Sequence, residues 1–132
     1  MRFEVTAAFI IGSLIPLLAT CVDYCRDGFT FSLALFRSDL PDYVAGGLLV
    51  FAGWAAVRDR SFAPVFLVLA WAYCTSMMVG SFWGQIDDTI RGETEPYNSA
   101  ITVIKLALLT TSVAALMVSF RHAASAAQPR IK

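Results

Sequence analysis

The placement of the charges constrains this chain more than any other feature. They gather in short clusters that leave four apolar runs: Val5 to Val22, Tyr43 to Val57, Ser61 to Gln85 and Tyr97 to Phe120, the last interrupted by Lys105 alone. A helix needs roughly 20 apolar residues, and about 17 to 25 in practice, to cross the hydrocarbon of a bilayer. The first, third and fourth runs meet that length directly. The second meets it by taking Leu40, Pro41 and Asp42 as its first turn, where proline costs no helical hydrogen bond. With 58% hydrophobic residues in only 132, a soluble domain would lack the interior to hide them. The expected fold is an all-α integral membrane protein, a single four-helix transmembrane bundle. The expected helices lie at about 4–23, 41–57, 62–85 and 98–120, followed by a short tail at 121–132.

Local signals refine this map. Pro16 lies inside the first run and should bend its helix. Pro64 suits the first turn of the third helix, and Asn98 or Ser99 can cap the fourth. The segment 26–40 carries Phe29, Leu33, Phe36 and Leu40 at helical spacing, which suits a short amphipathic helix in the headgroup plane. Its start also alternates as a strand would, but a lone strand has no ladder partner. The first run loosely resembles a signal peptide. Glu4 spoils a positive leader, and Thr20 is a poor residue before a cleavage cysteine at Cys21, so the run is expected to be retained.

Lysine and arginine counts set the orientation. With four crossings, Arg2, Arg58, Arg60, Arg121, Arg130 and Lys132 share one side, and Arg26, Arg37 and Arg91 share the other. The positive-inside rule puts the richer side, with both termini, in the cytoplasm of a cell-membrane protein. The acidic residues Asp23, Asp27, Asp39, Asp42, Asp87, Asp88, Glu93 and Glu95 then face outward. Zero formal net charge gives no bias toward nucleic acid. Membrane lipid, a second copy or another membrane protein are the partners such a chain would have.

Lipid tails do not push helices together, so close backbone approach carries more of their association. Small residues recur every four positions at Ala72, Ser76, Gly80 and Gly84, and again at Ala107, Thr111, Ala115 and Ser119. These stripes should face other helices, in this bundle or in a second copy. Gly46, Gly47 and Gly53 give the second helix a thin face. Phe66, Leu69 and Leu106 should face lipid or fill gaps.

Few residues could carry chemistry. Lys105 is the clearest anomaly, about 10 to 12 Å along its helix from the outer end. An intramembrane lysine either snorkels, pairs with a carboxylate such as Asp87, Asp88, Asp42 or Asp23, or contacts a ligand. A ligand site on the outer side would draw on Lys105, Asp87, Asp88, Trp71 and Ser76, with Trp71 equally suited to core packing. Ser112, Thr110 and Thr111 continue the polar character down the fourth helix. Cys21 and Cys25 stand one turn apart where the first helix leaves the membrane, compatible with a disulfide, free thiols or redox work. With Met77 and Met78 they could offer soft ligands to Cu(I), although methionine in apolar helices is ordinarily filler. Cys74 reads as a small buried apolar residue. The single histidine, His122, cannot supply bis-histidine haem ligation. No nucleotide-binding glycine loop, nucleophile elbow or zinc-protease motif is present, and the cofactor, if any, is not readable.

The layout resembles the DoxX-like group of small four-helix membrane proteins. The features that carry the resemblance are the glycine-rich entry Tyr43-Val44-Ala45-Gly46-Gly47-Leu48-Leu49, the tight basic turn Arg58-Asp59-Arg60, and the stretch Ile104-Lys105-Leu106-Ala107-Leu108-Leu109 after a polar outer loop. The resemblance implies a charged or amide position near the start of the fourth helix, filled here by Lys105. Some members of that group resemble membrane subunits of quinone-linked oxidoreductases, and many have no assigned activity. A histidine often found in that group near the outer end of the third helix is replaced by Ser81-Phe82-Trp83, so the resemblance brings no redox ligand with it. The readings left open are a non-catalytic subunit binding a lipid, quinone or other hydrophobic ligand, a homo-oligomeric transporter or channel, and a membrane enzyme acting on a lipid or quinone.

Overall fold

The computed structural model describes residues 2–27, 33–93 and 98–127, with the side chains of 23, 25–27, 33–38 and 98 outside that description. Four helices account for nearly all of it: α1 Phe3–Asp27, α2 Leu33–Val57, α3 Ala63–Arg91 and α4 Asn98–Ala127. Each contains a stretch long and apolar enough to cross a membrane: Phe3–Val22, Asp39–Val57, Ala63–Arg91 and Ser99–Ala127.

Several elements differ from expectation: α1 runs on past residue 23 to Asp27, and α3 past residue 85 to Arg91, so the polar stretch after Gln85 is helix rather than loop. The amphipathic segment at 26–40 does not stand apart across its second half, because Leu33 to Leu40 continue into α2 without a break and Pro41 lies inside that helix. The possible strand around Phe29 to Ser32 lies outside the described residues. The tail assigned to 121–132 remains helical to Ala127. Pro64 occupies the first turn of α3, as expected.

The helix ends close by backbone bonds. At the end of α2, Arg60 N–H donates to Ala55 O at 3.0 Å and Asp59 N–H to Ala56 O at 3.2 Å, with Asp59 at φ 48°. This is the left-handed C-terminal cap that satisfies orphan carbonyls, and a short polar aspartate tolerates the conformation. Gly92, at φ 75°, ends α3 in the same way.

The helices pack in a ring: α1 on α2, α2 on α3, α3 on α4, with α4 returning to α1 through the slightest of these contacts. The α1–α2 crossing is the closest. A β-carbon on Gly46 would lie 2.5 Å from Gly12 O and 2.6 Å from Pro16 Cγ. Gly53 gives room to the Phe9 ring, whereas Gly47 faces open space, so the thin face of α2 is narrower than its glycine count implied.

The small-residue stripe of α3 turns away from the bundle: Ala72, Ser76, Gly80 and Gly84 are all exposed. The face α3 buries is Ala63, Leu67, Ala70, Trp71, Cys74 and Met78. On α4 the expected stripe splits, with Ala115 and Ser119 buried and Ala107 exposed. Leu69 and Leu106 point outward, and Phe66 packs edge-on against Phe51 and Phe62.

The buried core occupies one half of the bundle. On α1 it runs from Glu4 to Ile15, on α2 from Ala45 to Ala56, on α3 from Ala63 to Met78 and on α4 from Ser112 to Ser119. These segments adjoin the basic end, which carries Arg2, Arg58, Arg60, Arg121 and His122. Toward the acidic end, with Asp39, Asp42, Asp87, Asp88 and Glu93, no described residue is fully buried.

Candidate functional site

The open, acidic half of the bundle holds Lys105. Its ammonium donates to Gln85 Oε1 at 3.0 Å and to the Ser81 carbonyl at 3.3 Å, tying α4 to the last turns of α3. Its side chain is half-buried, and Asp88 of α3 and Asp42 of α2 act on it electrostatically. An ammonium carries three donors in a compact head. Both of these acceptors are neutral, and Asp88 and Asp42 add negative charge on the same side. An oxygen acceptor that entered from the acidic end would meet a cation already oriented by α3.

The structure assembles the sequence-nominated site only in part. Asp88 is exposed near the end of α3 and acts on Lys105 through its charge, and Asp87 is exposed on the same end. Trp71 is fully buried in the core near the other end, so it does not wall the space around Lys105. Ser76 lies on the exposed face of α3. Asp42 joins the group from α2, and Gln85 and the Ser81 carbonyl supply the direct contacts. Gln85 stands at the charged edge of its run, where nothing beside it in the sequence marks it as a partner for Lys105. The signal that could have found it is that α3 and α4 are antiparallel neighbours, which places the end of one beside the start of the other. On the neighbouring seam, Thr20 Oγ1 and Tyr43 Oη share a hydrogen bond at 2.9 Å, joining α1 to α2 at the same half of the bundle.

The sulfur residues do not gather. Cys21 is an exposed free thiol, and the side chain of Cys25 lies outside the described residues. Met78 is buried and Met77 packs against the core. Among the described residues, no three His, Cys, Asp or Glu side chains are grouped as metal ligands would be.

Deeper along α4, Ser112 donates to Leu108 O at 2.8 Å, which leaves its oxygen to accept from the Cys74 thiol at 3.6 Å. Thr110 and Thr111 instead bond to carbonyls of their own helix. The polar character continued inward by α4 is therefore that of Ser112 and Ser119, seven residues apart on the bundle-facing side.

At the basic end, sequence reasoning missed a second polar group. Glu4 is only 1% exposed, with His122 Nδ1 at 2.9 Å and Arg2 Nε at 3.6 Å from its Oε1. The histidine contact is close but poorly aligned, so Oε1 is ion-paired without a well-formed hydrogen bond. Glu4 resembled a boundary charge in the sequence, and His122 a lone residue with no ligand partner.

Compared with known proteins, the chain matches no family model, no curated protein and no solved structure.

Proposed function

We propose that this chain is a non-catalytic, multi-pass membrane protein that holds the polar head of a lipid or quinone in the outer half of its bundle, at Lys105. In this reading the basic end and both termini face the cytoplasm of a cell membrane, and the acidic end faces outward. The observation that carries it is the Lys105 amine, half-buried in a part of the bundle with no fully buried residue among those described, and held by two neutral acceptors. An ionisable side chain within a membrane span costs too much to be idle filler. A phosphate or quinone carbonyl oxygen could replace the Gln85 amide at the ammonium while its apolar tail lay against the open helix faces. Asp42 and Asp88 would favour a head that is neutral or zwitterionic over one that is purely anionic.

Native mass spectrometry from mild detergent tests this. The wild-type protein should retain a bound amphiphile, and Lys105→Met should lose it. Wild-type protein that carries no such mass when supplied with lipid and quinone would remove the reading.

A second reading, a homo-oligomeric transporter, draws on the exposed stripe Ala72, Ser76, Gly80 and Gly84, which allows close approach of another copy. Solute flux into proteoliposomes equal to that of empty vesicles would dispose of it.

A further inference from the structure

Four buried polar atoms lack hydrogen-bond partners among the described residues: Glu4 Oε1, Trp71 Nε1, Thr75 Oγ1 and Ser119 Oγ. Native interiors leave few such groups unpaired, and water commonly satisfies them where it has several polar neighbours. The antiparallel register of α3 and α4 orders them. Lys105 is level with Ser81 and Gln85, and Ser112 with Cys74. One further turn toward the basic end brings in Trp71 on α3, and about 10 Å of helical rise separates Ser112 from Ser119. Another turn along α4 reaches His122, which contacts Glu4.

We propose that the Glu4–His122 pair is a proton-exchange site, and that Ser119, Trp71 and Ser112 mark a hydrated path from it along the α3–α4 seam toward Lys105. The inference does not depend on ligand binding at Lys105. A carboxylate 2.9 Å from His122 Nδ1 favours the tautomer with its proton on Nδ1, and a small turn of the exposed ring brings that N–H into line with Oε1. Nε2 is then the acceptor, on a side chain 44% exposed. In the exchange step Nε2 takes a proton from hydronium, releasing water, as the Nδ1–H bond breaks and an O–H bond forms on Glu4. The imidazole stays neutral and Glu4 becomes a carboxylic acid; the starting tautomer returns when Nε2–H gives its proton to water and Nδ1 takes one up from water. The new O–H donates onward to water beside Ser119. Arg2 and His122 are the ionisable groups in ion-pair contact with Glu4 among the described residues. Arg58, Asp59 and Arg60, at the same end between α2 and α3, are exposed to solvent.

The test is proton flux into sealed proteoliposomes of the full chain, with an internal pH-sensitive dye and valinomycin to clamp the potential. Wild type should conduct protons above the empty-vesicle rate, and Glu4→Gln should fall to that rate. His122→Arg puts beside Glu4 a permanent cation that cannot release its proton, so it should lose flux while its thermal stability stays near wild type. Glu4→Asp should keep measurable flux. Wild-type flux equal to that of empty vesicles would overturn the proposal, as would His122→Arg conducting like wild type. Amphiphile retention at Lys105, scored by mass spectrometry, would be unaffected in either case.

Discussion

The carbonyl oxygen of Gly12 occupies the space that a side chain on Gly46 would need: a β-carbon there would lie only 2.5 Å away. Backbone meets backbone at this crossing, so a methyl group cannot be accommodated by a rotamer change. Gly46→Ala should force α1 and α2 apart and lower stability by about 1–3 kcal/mol, the usual range for overpacking. Gly47→Ala adds its methyl to open space and should leave thermal stability in detergent near wild type. Equal losses from the two substitutions would contradict the crossing.

The tie between Lys105 and Gln85 should matter for stability as well as binding. Gln85→Leu removes the 3.0 Å acceptor and leaves the ammonium with the Ser81 carbonyl as its direct acceptor. Losing one acceptor to a partly buried charge should cost about 1–3 kcal/mol. Lys105→Met removes the donor along with its need for acceptors, so it should destabilise less than Gln85→Leu. Thermal unfolding of both variants in one detergent checks the order, and the reverse ranking would count against the tie.

Trp71 is the largest fully buried side chain, and its indole N–H has no partner among the described residues. Trp71→Ala should cost about 3–5 kcal/mol through the cavity it leaves. Trp71→Phe keeps most of the ring and discards the unpaired donor, so it should recover much of that loss. If the two variants melt alike, Trp71 does not pack as described.

Thiol chemistry gives an independent check on burial. Cys74 is buried and Cys21 exposed. In folded protein a small alkylating reagent should modify Cys21 and spare Cys74, with Cys74 reacting only after unfolding. Rapid modification of Cys74 in the folded state would contradict its place in the core.

The four apolar runs were legible because charge clusters end helices where hydrocarbon would. Lys105 was legible because a cation inside such a run has no ordinary explanation. The direction of the α3 stripe was not. Four-residue spacing defines a face, but Ala72, Ser76 and Gly80 and the neighbouring Trp71, Cys74 and Met78 are two such faces of one helix, and spacing does not say which of them meets the bundle. The large residues won here, filling the centre of the ring while the small ones faced out. Leu33 to Leu40 joined α2 because a proline's tolerance at a helix start and its presence within a longer helix look alike in sequence. Glu4 and His122 went unpaired because each was considered beside its own neighbours. Four helices that alternate in direction bring both to one end of the bundle, and that inference was available from topology alone.

The account rests on the chain crossing a bilayer four times, with its basic and acidic ends on opposite faces. Single cysteines at Arg60→Cys and Glu93→Cys, in a chain stripped of its native cysteines, test this with a membrane-impermeant maleimide on sealed right-side-out vesicles. Glu93→Cys should label at once, and Arg60→Cys only after the vesicles are opened. Labelling of both from the same side would contradict the four-crossing arrangement.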